Sequence, residues 1–265
     1  MRNPLIEIDP LTYYDRVAPL IIRFTAGRRS TAIKGNHKTS RGEGAQLNDV
    51  EDVMSVVERG FIDIMTSVSR DGLIDVVVFD VKGTGSLWLN EDGATVFYLA
   101  IQAIKQTLAF LGIESTLTFF DGMNGFKVMT LLSKGIDKRV AGTIVGVTWE
   151  AFTRTAKRFK VLRNNLDEIM IGGNTMLKVG MFRVPLSLHW STKLAAVPVV
   201  DCPKNFSTIK AIPQRIIDDL PNYVKAIEEL RINETELNDL SKMDKLQLIY
   251  SLKARLSSNL STNCS

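Results

Sequence analysis

Apolar positions recur along this chain with two periods, and from Asp49 onward the elements they predict separate cleanly. In LNDVEDVMSVVERG, Val50, Val53, Val56 and Val57 fall at helical spacing, with Asn48 or Asp49 as cap and Gly60 as stop. FIDIMTSV (61–68) alternates like a strand. LIDVVVFD (73–80) is a nearly unbroken apolar run, as expected of a strand buried on both faces. ATVFYLAIQAIKQTLAFLG (94–112) predicts a helix with a wide apolar face, closed by Gly112. STLTFF (115–120) and GFKVMTLL (125–132) predict two strands joined by the turn DGMN.

The pattern continues with an amphipathic helix, WEAFTRTAKRFKVLRNNL (149–166), placed within a helical stretch over 136–163. Its polar side carries Arg154, Lys157, Arg158 and Arg163. MFRVPLSLH (181–189) and LAAVPVV (194–200) are short strand-like pieces, and from Thr208 the chain reads as helices only. Leu246, Ile249, Leu252 and Leu256 form a stripe on the last of these. The order predicts an α+β core over 1–205 and a helical C-terminal region over 206–265, self-packing being favoured over docking on a partner.

Two segments carry candidate chemistry. VVVFDVKGTG (76–85) brings Asp80 to the end of a strand before a glycine-rich turn, with Lys82 two positions on and on the same face. AGRRSTAIKGNHKTSRGEG (26–44) reads as a basic loop containing Arg28, Arg29, Lys34, Lys38 and Arg41, either solvated surface or a phosphate-contacting segment. A length of 265 residues, 45% apolar and 23% charged content, and a formal charge of +4 fit an ordinary globular chain that permits a polyanionic partner without demanding one. With two cysteines and two histidines, a disulfide framework, a Cys-only zinc site or a His/Cys metal cluster is not expected. No signal-like or 18-residue apolar run occurs, so the reading is intracellular, cytoplasmic, with no membrane partner.

FDVK (79–82), FDGMNGFKV (120–128) and FRVPLSLHWSTKL (182–194) together resemble the three signature regions of the archaeo-eukaryotic primase superfamily, in particular the small (catalytic) subunit of archaeal primases. Order and spacing agree over about residues 20–205, and Arg183, Pro185, Ser187, Leu188 and His189 fit the last motif. The resemblance implies an α+β primase-polymerase core: a mixed sheet from residues near 61–80, 115–131 and 181–200, with flanking helices and a C-terminal helical appendage. It also implies two-metal nucleotidyl transfer, in which carboxylates hold two divalent ions.

The chain departs from that pattern where the metals would bind. Asp80 matches the first carboxylate, but Lys82 stands at the second, Asp121 replaces a serine, and Lys127 replaces the histidine that contacts triphosphate. Asp167 is the best match for the third carboxylate. The inserted cysteine/histidine zinc module is missing, so no zinc is expected. A carboxylate about 4 Å from a divalent ion attracts it by roughly 8 kcal/mol at an effective dielectric of ~20, and an ammonium repels it equally.

The expectation is therefore a non-catalytic nucleic-acid- or nucleotide-binding accessory subunit or paralogue of an archaeal-type primase. Its partners would be primase subunits (large or catalytic small) and single-stranded or primed DNA. Lys82, Lys127, Arg183, Ser187 and His189 would bind phosphate, and Arg28, Arg29, Lys34, Arg154 and Arg158 would contact nucleic acid. The competing expectation is that the two lysines merely pair with Asp80 and Asp121 in an inert cleft and that His189 is a structural residue holding the strand turn. The alternatives are an active primase-polymerase using magnesium or manganese on Asp80, Asp121 and Asp167, and a protein-interaction module that touches no nucleic acid.

Overall fold

A computed structural model describes residues 8–35, 42–235, 237 and 245–259. The chain opens with α1 (Pro10–Thr25), where Asp9 caps the helix by accepting from the Leu11 and Thr12 amides and Pro10 takes the first turn. Its buried face carries Tyr13, Tyr14, Val17, Ala18 and Ile21. The segment read as a basic loop is a hairpin instead: β1 (Arg29–Lys34) pairs antiparallel with β2 (Glu43–Gln46). Burial of Ser30, Ala32 and Ile33 against β3, with a register shift after Ile33, holds β1 as a strand despite its flanking charges. Lys38 and Arg41 lie outside the described residues.

Then follow α2 (Val50–Glu58), β3 (Phe61–Ser67), β4 (Ser69–Arg70), β5 (Leu73–Gly83), α3 (Gly85–Leu89), α4 (Gly93–Phe110), β6 (Leu117–Phe120) and β7 (Gly125–Ile136). The long basic helix is broken in two, α5 (Lys138–Ala156) and α6 (Lys160–Asn165), where Phe159 turns in against the core. β8 (Ile169–Gly172) and β9 (Met181–Arg183) complete the strands of this region, followed by α7 (Pro213–Asp218) and α8 (Leu220–Glu228). The C-terminal region is not purely helical, because β10 (Ile232–Asn233) pairs parallel with β7 before α9 (Lys245–Asn259).

The strands divide between two sheets. One has the order β2-β1-β3-β9; the other runs β10-β7-β5-β4, with β6 on β7 and β8 on β5. All the pairings are antiparallel except β10 with β7. One apolar core joins α1, α4 and α5 to the inner faces of both sheets, and it includes Ile227, Leu252 and Leu256 from the C-terminal region. Among the described residues no helix is long and apolar enough to cross a membrane.

The α9 stripe lies against α5 and α4 of the same chain. Leu252 is 1% exposed and Leu246 57%. Leu252→Ala should therefore cost about 2–5 kcal/mol in urea denaturation, and Leu246→Ala within about 0.5 kcal/mol. Equal, small effects would mean that α9 is not packed on its own core.

Candidate functional site

β5 carries Asp80 and Lys82 on one face, and the register of its neighbours decides what they meet. Asp80 stands opposite Lys127 on β7 and Gly172 on β8, while Lys82 stands opposite Gly125 and Met170. Cross-strand partners share a face, so Asp80 and Lys127 are driven together. The Lys127 ammonium donates to Asp80 Oδ1 and, at 2.9 Å, to Thr175 Oγ1. Thr175, opening a single π-helical turn (Thr175–Val179), closes over the carboxylate: its amide donates to Oδ2 at 2.8 Å and its hydroxyl to Oδ1 at 2.6 Å.

Asp80 is 1% exposed. Burial pushes its carboxyl up, but the Lys127 charge and the Lys127 and Thr175 hydrogen bonds outweigh that and hold it below the ordinary aspartate value. Lys82 is half-buried and makes no hydrogen bond or ion pair among the described residues.

Asp121 does different work. Its Oδ1 accepts from the Met123, Asn124 and Gly125 amides at 2.9–3.2 Å, which builds the turn between β6 and β7. Gly122 in this turn has φ +83, and a Cβ there would meet Leu194 O at 2.9 Å and His189 Cβ at 3.1 Å. The turn is thereby pressed onto the Arg-x-Pro segment, and Thr192 Oγ1 donates to Gly122 O at 2.6 Å. Asp167 is exposed in the short 3-10 turn Leu166–Glu168, ahead of β8, whose last residue is the one opposite Asp80. The three carboxylates do not converge, and among the described residues no three His, Cys, Asp or Glu side chains form a group that could hold a metal ion.

The Arg-x-Pro-x-Ser-Leu-His segment is built into the core. Arg183 makes a two-pronged pair with Asp63 on β3, at 2.7 and 2.8 Å, and donates to Asp121 O at 2.6 Å. Three of its five N–H donors are thereby spent inside the protein. Ser187 Oγ accepts from the Ile64 amide at 2.6 Å and is fully buried. His189 Nδ1 accepts from the Ser191 and Thr192 amides, at 3.2 and 3.4 Å, so the proton of the neutral ring sits on Nε2. Burial, then the Arg183 charge, lowers its pKa to about 4, with Asp63 and Asp121 opposing. At neutral pH it is an uncharged ring whose Nδ1 shapes the turn as an acceptor.

Asp63 was the residue to look for. An acid inside the alternating run FIDIMTSV is 0% exposed, and a buried charge in a strand calls for a buried partner.

The expected nucleic-acid contacts also divide. Arg28 is paired with Asp75 at 2.9 and 2.6 Å and bonded to Ser67 O, and Arg154 is held by Glu150 at 2.5 Å and lies over the Tyr250 ring of α9. Arg28 is nearly buried in its pair, whereas Arg154 and its acid are both partly exposed on the helix surface. Arg158 is exposed and also has a partner. Arg29 and Lys34 are exposed on β1. Lys34 and Arg59 lie 5.0 and 5.4 Å from the Phe61 ring centre. Next to Lys34, a methyl group on Gly35 would stand 3.0 Å from Lys193 Nζ, which links this basic cluster to the His189 turn.

Two measurements check the site. Lys127→Met should destabilise the protein by about 3–5 kcal/mol, because it strands a buried carboxylate, and Asp80→Asn combined with it should recover most of the loss. Near-neutral single variants would mean the pair is solvated. For His189, the unfolded imidazole titrates near 6.5 and the folded one at about 4. The unfolded chain therefore binds the extra proton between these values, and stability should fall by up to about 3 kcal/mol as pH drops from about 6.5 to about 4. His189→Asn, which keeps an acceptor for the turn, should flatten that slope; an unchanged slope would assign it to other groups.

No protein-family profile and no curated protein sequence matches the chain. Among solved structures it is similar to the polymerase domain of Mycobacterium tuberculosis Ligase D in complex with DNA. The TM-score is 0.56 at 15% identity, covering 80% of this chain and 88% of that one. At that identity the likeness shows the fold alone: an α+β core of antiparallel sheets with flanking helices, of the primase-polymerase type.

Proposed function

We propose that this is a non-catalytic primase-fold protein of DNA replication or repair, an accessory subunit or paralogue of an archaeal-type primase that binds nucleic acid. The observation that carries the reading is the state of Asp80. The one carboxylate at the expected strand end is already neutralised by Lys127 and closed over by Thr175. A divalent ion would have to displace an ammonium, and would then face Lys82, whose repulsion at about 4 Å is roughly 8 kcal/mol at an effective dielectric of ~20 before any relaxation. The polymerase alternative on Asp80, Asp121 and Asp167 has no comparable support, since one is paired, one holds a turn and one is exposed in a surface turn. No resident magnesium, manganese or zinc belongs to this reading.

Nucleic-acid binding rests on two supports. The fold neighbour is a polymerase domain in complex with DNA. Arg29, Lys34, Arg59 and Lys82 give this chain cations outside the core ion pairs, and Lys and Arg suit backbone phosphates. Primase subunits, large or catalytic small, are the protein partners the reading implies.

The deciding experiment pairs a primer synthesis and extension assay, in magnesium and in manganese, with single-stranded DNA binding across a salt series. The expected result is no incorporation in either metal and weak, salt-dependent binding. The log–log salt slope should flatten by roughly 0.7 per phosphate contact removed in Arg29→Glu and Lys34→Glu. Incorporation that disappears in Asp80→Ala would make the protein an active polymerase. Absence of DNA binding at low salt would leave the protein-interaction reading.

A further inference from the structure

A second candidate site lies towards the other end of β5. Asp75 stands five residues before Asp80, about 17 Å along the strand at ~3.4 Å per residue. There the register with β7 breaks: Ile74 stands opposite Ile136, but Val76 stands opposite Leu131. Residues 132–135 are left against Asp75 alone, and the ladder opens. On the other edge of β5, Asp71 and Gly72, with φ 51 and 83, make the tight turn that sets Arg70 opposite Leu73. Residues of α1, β4, β5 and β7 line a cavity here of about 390 Å³, within the usual range for small-molecule sites.

The charges that line it do not balance. Arg28 makes a two-pronged pair with Asp75, at 2.9 and 2.6 Å, and also donates to Ser67 O. That pair is nearly buried and engages both carboxylate oxygens. Arg70 comes only within 3.8 Å of the same carboxylate, beyond hydrogen-bond distance, and its side chain is 54% exposed. Arg23 donates to the Glu228 and Leu230 carbonyls at 3.4 and 3.3 Å and pairs with no acid among the described residues. With Asp71 counted, three guanidiniums and two carboxylates line the cavity, a surplus of one positive charge. The apolar part of the lining includes the buried Phe24, Leu132 and Phe182 and the exposed Leu73 and Ile232.

One surplus positive charge beside an apolar lining selects the ligand. A phosphate dianion exceeds that surplus and brings no apolar surface, and an amine has the wrong sign. We propose that this cavity binds a small monocarboxylate with an apolar body, of the short-chain aliphatic acid class. Its carboxylate is received by Arg70, whose neighbour Asp75 is already neutralised by Arg28, and its body lies on the apolar lining. The site is independent of the primase-fold reading and uses none of Arg29, Lys34, Arg59 and Lys82.

The test uses the full chain and isothermal titration calorimetry with hexanoate, hexanamide (the same body without the charge), acetate (the charge without the body) and inorganic phosphate. Hexanoate should bind saturably and about tenfold or more tightly than each of the other three. Arg70→Met should weaken hexanoate about tenfold or more with little change in melting temperature, because the side chain is exposed and makes no hydrogen bond among the described residues. Arg16→Met, at an exposed arginine of α1 outside the cavity, should leave hexanoate binding unchanged. Absence of saturable hexanoate binding would overturn the proposal, as would hexanamide, acetate or phosphate binding as tightly as hexanoate. Binding that survives Arg70→Met, or that falls equally in Arg16→Met, would overturn it too. Should Arg70→Met unfold the chain, the comparison of hexanoate with hexanamide and acetate decides alone.

Discussion

The buried pair between Asp63 and Arg183 is the joint on which the arrangement of this molecule depends. Asp63 lies on β3 and Arg183 on β9, neighbours in the first sheet, yet the same guanidinium reaches Asp121 O in a turn of the second sheet. The other oxygen of Asp63 also accepts from the Trp190 amide, at 3.1 Å, which anchors the turn containing His189. One carboxylate thus fixes two sheets and the Arg-x-Pro segment together. A charge pair of this kind adds little net stability, but losing either partner leaves a bare charge in the core. Tyr14 reinforces the joint, since its hydroxyl donates to Ile62 O and receives the Leu188 amide at 3.0 Å.

With the scaffold held this way, the end of β5 is set by which charges the strand register brings together. Asp80 keeps its place at the end of β5, and Lys127 occupies the cross-strand position from which it neutralises that acid. The pair and Thr175 satisfy one another, so the site is stable without an ion. Lys82, at the edge of the same face, remains available to an anion. The physical contrast between the two lysines is what the register puts opposite each: Lys127 meets Asp80, whereas Lys82 meets Gly125 and Met170 and is half-buried.

The same contrast governs the other cations. Arg28 and Arg154 sit where an acid of the same chain lies within hydrogen-bond reach, and they serve packing. Arg29 opens β1 just after Arg28 and is exposed to solvent. The register shift between Ile33 and Lys34 breaks the alternation and leaves Lys34 exposed as well.

Much of the fold was legible in the sequence because its signals are local. The β-branched run of β5, the wide apolar face of α4 and the Asp121–Gly122 turn are dictated by neighbours a few residues away, and all occur where the patterns place them. Less local features were not legible. The basic hairpin β1–β2 is a strand only because β3 lies beside it, and β10 exists only because the edge of β7 is there to receive it. Of the three motif segments, far apart in the chain, the first two are brought together by the β5–β7 ladder, and the third is joined to the second by Arg183 and the Gly122 contact. The choice of charge partners was furthest from reach. The sequence names the lysines and the acids, but that Lys127 pairs with Asp80 and not Asp121, or Arg28 with Asp75, follows from strand register and sheet packing, because a buried ion pair is decided by which charges the fold desolvates side by side.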